Sequence, residues 1–209
     1  MFGSNRRRAV GASVAVATAT LLLAACGTPP WAVGSGEAPP SPPVPTAPIQ
    51  TVAPQPVPND LSSGSTERNL QAGSVGAAVN YWSTLSMDRW TATALKPVSL
   101  SMMTTVTPDD GQQVYLQRAS MIAVPGNATQ SFAPLTAQVD QATVTPGYPV
   151  LDPYSYSQTF NVGEVPSTAT FVKLQFTYEY LVQTTPTSNE YAKQTATDSL
   201  TIAIAGNAE

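Results

Sequence analysis

From Pro97 onward the chain alternates between apolar and polar positions. Val98, Leu100, Met102, Thr104 and Val106 point one way, and Ser99, Ser101, Met103 and Thr105 the other. A period of two is the mark of a strand with one buried face. Pro108-Asp109-Asp110-Gly111 follows as a turn, because Asp-Gly tolerates the positive φ that tight turns need. A second strand is expected from about Gln112 to Val124, with its pattern broken near Arg118 and Ser120, where a bulge fits. The stretch from Gly126 to Pro153 is proline-punctuated and leaves room for at most one short strand, around Gln138–Val144. The clearest alternation runs through Val172, Leu174, Phe176, Tyr178, Tyr180 and Val182, with Lys173, Gln175, Thr177 and Glu179 between them. Leu200, Ile202 and Ile204 repeat the pattern, and the loop Thr184–Asn189 joins the two runs as a long hairpin.

Upstream, Val75, Val79, Trp82 and Leu85 recur at helical spacing after the potential cap Asn69, so residues 69–90 are expected to be helical, although Gly73 and Gly76 weaken that pattern. Trp82 and Trp90 would staple this segment to the sheet. The expected fold is mainly β: an antiparallel β-sandwich, immunoglobulin-like in general shape, with one N-terminal helix. The alternative is an α+β arrangement with that helix on a curved sheet. The cysteine pair of true immunoglobulin domains is absent, since the chain has one cysteine.

Composition divides the 209 residues into three parts. Arg6, Arg7 and Arg8 precede an apolar stretch from Ala9 to Ala25 that ends at Cys26 and is followed by Gly27-Thr28-Pro29-Pro30, with no charged flank. Residues 1–25 therefore read as a removable leader. Leu23-Ala24-Ala25-Cys26 resembles the lipobox of bacterial lipoproteins. The resemblance implies a thioether-linked diacylglycerol on Cys26 and cleavage before it, which places the protein on the extracytoplasmic face of the cell membrane. Paired acyl chains hold a protein on a bilayer far better than one. Residues 26–66 form the second part, the lipidated cysteine and a tether. Eleven of the 20 prolines fall between Gly27 and Asp60, which favours an extended polyproline spacer and excludes helix or sheet interior. At about 3.1 Å per residue it would reach roughly 100 Å. Leu61–Thr66 (Leu-Ser-Ser-Gly-Ser-Thr) reads as a softer hinge. Residues 67–209 are expected to be a single β-rich domain. The leader, the alanine, proline and threonine bias and the proline spacer together resemble lipoproteins of high-GC Gram-positive bacteria.

From Cys26 onward the chain carries six basic and 13 acidic side chains, a net charge of −7. Nucleic acid is thereby disfavoured as a partner, and so is direct adhesion to anionic headgroups; the lipid on Cys26 would supply the membrane contact. The chain has no histidine, which removes the commonest general base and metal ligand. No Gly-x-Ser-x-Gly elbow, Ser-x-x-Lys pair, phosphate-binding loop or dinucleotide fingerprint occurs. Asp109-Asp110 belongs to a turn, and the spacing of Asp109, Asp110 and Asp152 does not fit a calcium loop. The expectation is a non-enzymatic protein with no cofactor and no metal site.

One segment stands out for binding. Gly147 to Phe160 carries Tyr148, Tyr154 and Tyr156 among serines, a composition that recognition loops favour. The competing reading puts Tyr154, Tyr156 and Phe160 on one buried strand face with the serines outside. The functional expectation is an anchored domain that contacts another envelope or secretion-system protein. The alternative is a carrier or sensor for a small ligand, glycan or lipid.

Overall fold

A computed structural model describes residues 56–206. The leader, Cys26 and most of the Pro-rich tether lie outside the described residues.

Among the described residues nine strands follow in chain order: β1 (Ser65–Ala72), β2 (Val75–Trp82), β3 (Lys96–Val106), β4 (Val114–Gly126), β5 (Gln138–Gln141), β6 (Tyr148–Pro149), β7 (Tyr156–Val162), β8 (Phe171–Gln183) and β9 (Tyr191–Ala203). They form two antiparallel sheets packed as a sandwich. One has the order β1-β2-β3-β7; the other has β5-β4-β8-β9, with β6 also paired to β4. Buried side chains from both inner faces interleave, among them Val79, Tyr81, Leu100 and Met102 from the first sheet and Leu116, Leu174, Phe176 and Tyr178 from the second. The β8–β9 hairpin joins Phe171↔Ala203 through Gln183↔Tyr191 and has the inward alternation expected of it.

The expected helix over 69–90 is absent. Those residues form the end of β1, all of β2 and one 3-10 turn at Met87–Arg89. Val75 and Val79 are four apart, a spacing that both a helix and a strand bring to one face. The strand wins because Ala77 and Tyr81 complete a period of two, all four side chains being buried. Gly73, at φ 56°, makes the tight β1–β2 turn in a conformation costly for other residues. Of the two tryptophans, Trp90 is fully buried and donates through Nε1 to Ser83 Oγ (3.2 Å), whereas Trp82 is half-buried at the end of β2.

Residues 61–66 do not act as a hinge. Leu61 is fully buried and Ser65–Thr66 already belong to β1. Asp60 donates its N–H to Thr201 O (2.9 Å), accepts from Thr201 N–H through Oδ2 (2.6 Å), and pairs with Arg68 (2.8 Å). Packing thus begins ahead of residue 67.

The bulge in β4 lies between Leu116 and Arg118. One extra residue reverses which side chains face inward. Val114 and Leu116 are buried before it, and Ala119, Met121 and Ala123 after it. Gln117, the extra residue, offers its carbonyl to Ala142 N–H and to Gln141 Nε2, both at 2.9 Å. The bulge thereby fixes β5 against β4. The 126–153 stretch holds two short strands, β5 and the two-residue β6, where one was expected.

Candidate functional site

The seam between the two sheets is open on the side where β5 and β6 face β7. There an open cavity of about 450 Å³ is lined by Asp140, Tyr148, Pro149, Tyr154 and the run Ser155–Gln158. All three tyrosines singled out in the sequence line it, and they reach it from different elements.

Tyr148 sits on β6, which pairs with β4 at Leu116. Gly147 makes that approach possible: a Cβ there would lie 2.6 Å from the Leu116 carbonyl oxygen. Tyr154 lies in the loop before β7, is 54% exposed, and is held by its N–H to Leu151 O (2.9 Å). Tyr156 opens β7 and is buried. Its ring stacks against Tyr148 at a centroid distance of 6.0 Å and an interplanar angle of 21°. Its hydroxyl donates to Asp140 Oδ2 at 2.7 Å, which ties β7 to β5 across the seam. Burial and the neighbouring Asp140 carboxylate push the Tyr156 phenol far above its ordinary range, so it stays a donor at any physiological pH.

The competing reading of this segment holds in part. Tyr156 and Phe160 do share a buried strand face with Ser157 and Thr159 exposed, but Tyr154 precedes the strand and points to solvent. The cleft therefore combines one anchored ring, one half-buried ring and one exposed ring.

Sequence reasoning missed Asp140 and Gln158. Asp140 falls in the expected short strand, but nothing local marks it, because its partner Tyr156 lies 16 residues on and in the other sheet. Elsewhere, the Asp109-Asp110 pair does form a turn. Asp109 Oδ1 accepts from Gly111 N–H (3.1 Å), and Gly111 takes φ 91°.

Chemically, the cleft offers three aromatic faces, one carboxylate, a side-chain amide and two serine hydroxyls. Its lining contains no cation, and its one carboxylate, Asp140, is bonded to the Tyr156 hydroxyl. Among the described residues no group of three or more carboxylate, thiol or imidazole side chains is close enough together to hold a metal ion. Aromatic stacking and hydrogen bonding are what such a surface does. Compared with protein-family models and with curated proteins, the chain gives no match to either.

Proposed function

We propose that this protein is a non-enzymatic, lipid-anchored module of the cell envelope. In this reading Cys26 carries the lipid, the Pro-rich segment is the spacer, and the sandwich presents the Tyr148/Tyr154/Tyr156 cleft to another envelope or secretion-system protein. The observation that carries the reading is the convergence of three tyrosines from β6, the following loop and β7 on one open cleft. Tyr154 in particular is a large ring left more than half exposed, which packing does not require. Rigid, amphipathic tyrosines give contact area at little conformational cost and are common anchors of protein interfaces.

The test is a photo-reactive phenylalanine analogue placed at position 154 in the full-length protein in cells. One discrete, near-stoichiometric adduct with an envelope protein is expected, and none from Leu95, which is more exposed than Tyr154. Absence of an adduct at 154, or the same adducts from both positions, would overturn the reading.

A second reading is a carrier or sensor for a small ligand or glycan. The cavity volume favours it, lying in the range of small-molecule sites. A native mass heavier than that of the lipidated chain, restored to the chain mass by Tyr154→Ala, would move this reading to first place.

A further inference from the structure

We propose that the cleft receives a cationic side chain, arginine or lysine, carried by an extended segment of the partner that adds to the outer edge of β7 at Ser157. This rests on the reading of the cleft as the protein-docking site and names what it recognises.

Charge is the first argument. Asp140 is the single charged group in the lining. Its Oδ2 is held by the Tyr156 hydroxyl, and Oδ1 accepts no hydrogen bond among the described residues, which leaves one oxygen able to take a donor. Around it stand the Tyr148 and Tyr156 rings, 6.0 Å apart, and the exposed Tyr154. Aromatic faces attract cations, and a guanidinium can stack on a ring while bonding a carboxylate. The excess of acidic over basic side chains beyond Cys26, seven charges, points the same way.

The strand edge is the second argument. Among the described residues β7 pairs with β3 alone. Along its other edge, Asn161 N–H is taken by Gln138 Oε1 (3.0 Å) and Thr159 N–H by the side chain of Gln158 (2.8 Å). Antiparallel pairing alternates inward and outward amides, so Ser157 presents its N–H and C=O on that same edge. No side chain clamps Ser157 among the described residues, and Ser155–Gln158 line the cleft as one continuous run. An extended chain paired there would lay alternate side chains into the cleft, as in strand addition to other exposed edges.

The experiment uses the full-length lipidated protein in phosphatidylcholine nanodiscs and a fluorescein-labelled probe, Thr-Val-Thr-Arg-Thr-Val-Thr, read by anisotropy. Replacing the probe's arginine with citrulline keeps its shape and removes the charge. The expected result is binding weakened at least about ten-fold by citrulline, with the difference falling below about two-fold in Asp140→Asn. Tyr154→Ser, a change at an exposed position, is expected to weaken the arginine probe without altering the thermal midpoint. N-methylation of the probe backbone at the two threonines flanking arginine is expected to abolish binding, since in antiparallel pairing their amides, and not arginine's, face β7 when the arginine side chain shares the Tyr156 face. Equal binding of the arginine and citrulline probes, or of neither, would overturn the inference. If position 154 still captures an envelope protein in cells under that outcome, the docking reading stands and the cationic occupant falls. If it captures nothing, both fall.

Discussion

The hydroxyls of Tyr81 on β2 and Tyr178 on β8 meet at 2.9 Å in the middle of the sandwich, so the two sheets are joined by a buried polar contact inside an apolar core. A buried hydroxyl with a partner is tolerated; one without a partner carries its full desolvation penalty. Tyr81→Phe or Tyr178→Phe alone should therefore cost about 1–3 kcal/mol. The double Phe variant should cost less than the sum, since neither hydroxyl is then stranded. Urea unfolding of the four proteins measures this, and strict additivity would show that the pair does not interact.

Phe176 packs against three rings at once: Tyr81 at 5.0 Å, Phe160 at 6.1 Å and Tyr178 at 6.2 Å between centroids. It is 1% exposed. Phe176→Ala should destabilise by about 3–5 kcal/mol through lost burial and the cavity left behind. An unchanged thermal midpoint would mean that β8 does not present this face to the core.

Much of the sheet was legible because strand alternation is a local property. The β3 and β8 patterns name their buried residues directly, and the broken phase of β4 marks its bulge. The 69–90 segment misleads for an equally local reason: a separation of four fits both periods, and Tyr81 has to be counted with Val79 to decide between them. The tyrosine cleft was half legible. Composition picks out Tyr148, Tyr154 and Tyr156, but their convergence on Asp140 depends on how β5 and β7 meet across the seam. No pattern within either segment encodes that meeting.

Lys96 is fully buried, and its ammonium donates to the carbonyls of Ala94 (2.6 Å), Gly163 (2.8 Å) and Thr91 (3.2 Å), with Ala92 O at 3.5 Å. It gathers the 91–95 loop and the residue after β7 around one charge. Lys96→Met should cost about 1–3 kcal/mol by leaving the Ala94 and Gly163 carbonyls without a donor, whereas Thr91 O and Ala92 O keep the N–H groups of Ala94 and Val165. Burial lowers its pKa below 10.5, with Glu164 opposing the shift. The unfolded chain then binds more protons in the window between the folded value and 10.5, so this group makes stability rise with pH there. Lys96→Met should lose that rise. Identical pH profiles for the two proteins would contradict the buried ammonium.

Four of the eight tyrosines, Tyr81, Tyr156, Tyr178 and Tyr180, are buried, and burial is the leading cause that raises each of their pKa values above 10.0. A raised folded pKa gives stability that is complete below the unfolded value and lost as pH climbs past it. Above pH 10, each such phenol should therefore remove about 1.4 kcal/mol per pH unit. Titration followed by phenolate absorbance should show these four ionising only together with unfolding. A single smooth titration of all eight near pH 10 would refute the burial pattern.

Gly147 tests the link between fold and cleft. Its Cβ position lies 2.6 Å from Leu116 O and 3.1 Å from Tyr115 Cβ, so backbone, and not a movable side-chain tip, would meet any added group. Gly147→Ala should push β6 off β4, cost about 1–3 kcal/mol, and separate the Tyr148 ring from Tyr156. Near-ultraviolet circular dichroism reports the ring pair, and capture through position 154 reports the cleft. The expected outcome is loss of both signals while the far-ultraviolet strand spectrum persists, because the β4–β8–β9 core does not depend on β6. If Gly147→Ala keeps the ring signal and the capture, the close approach at Leu116 does not position Tyr148. The cleft would then be set by the β5–β7 contact of Asp140 and Tyr156 alone.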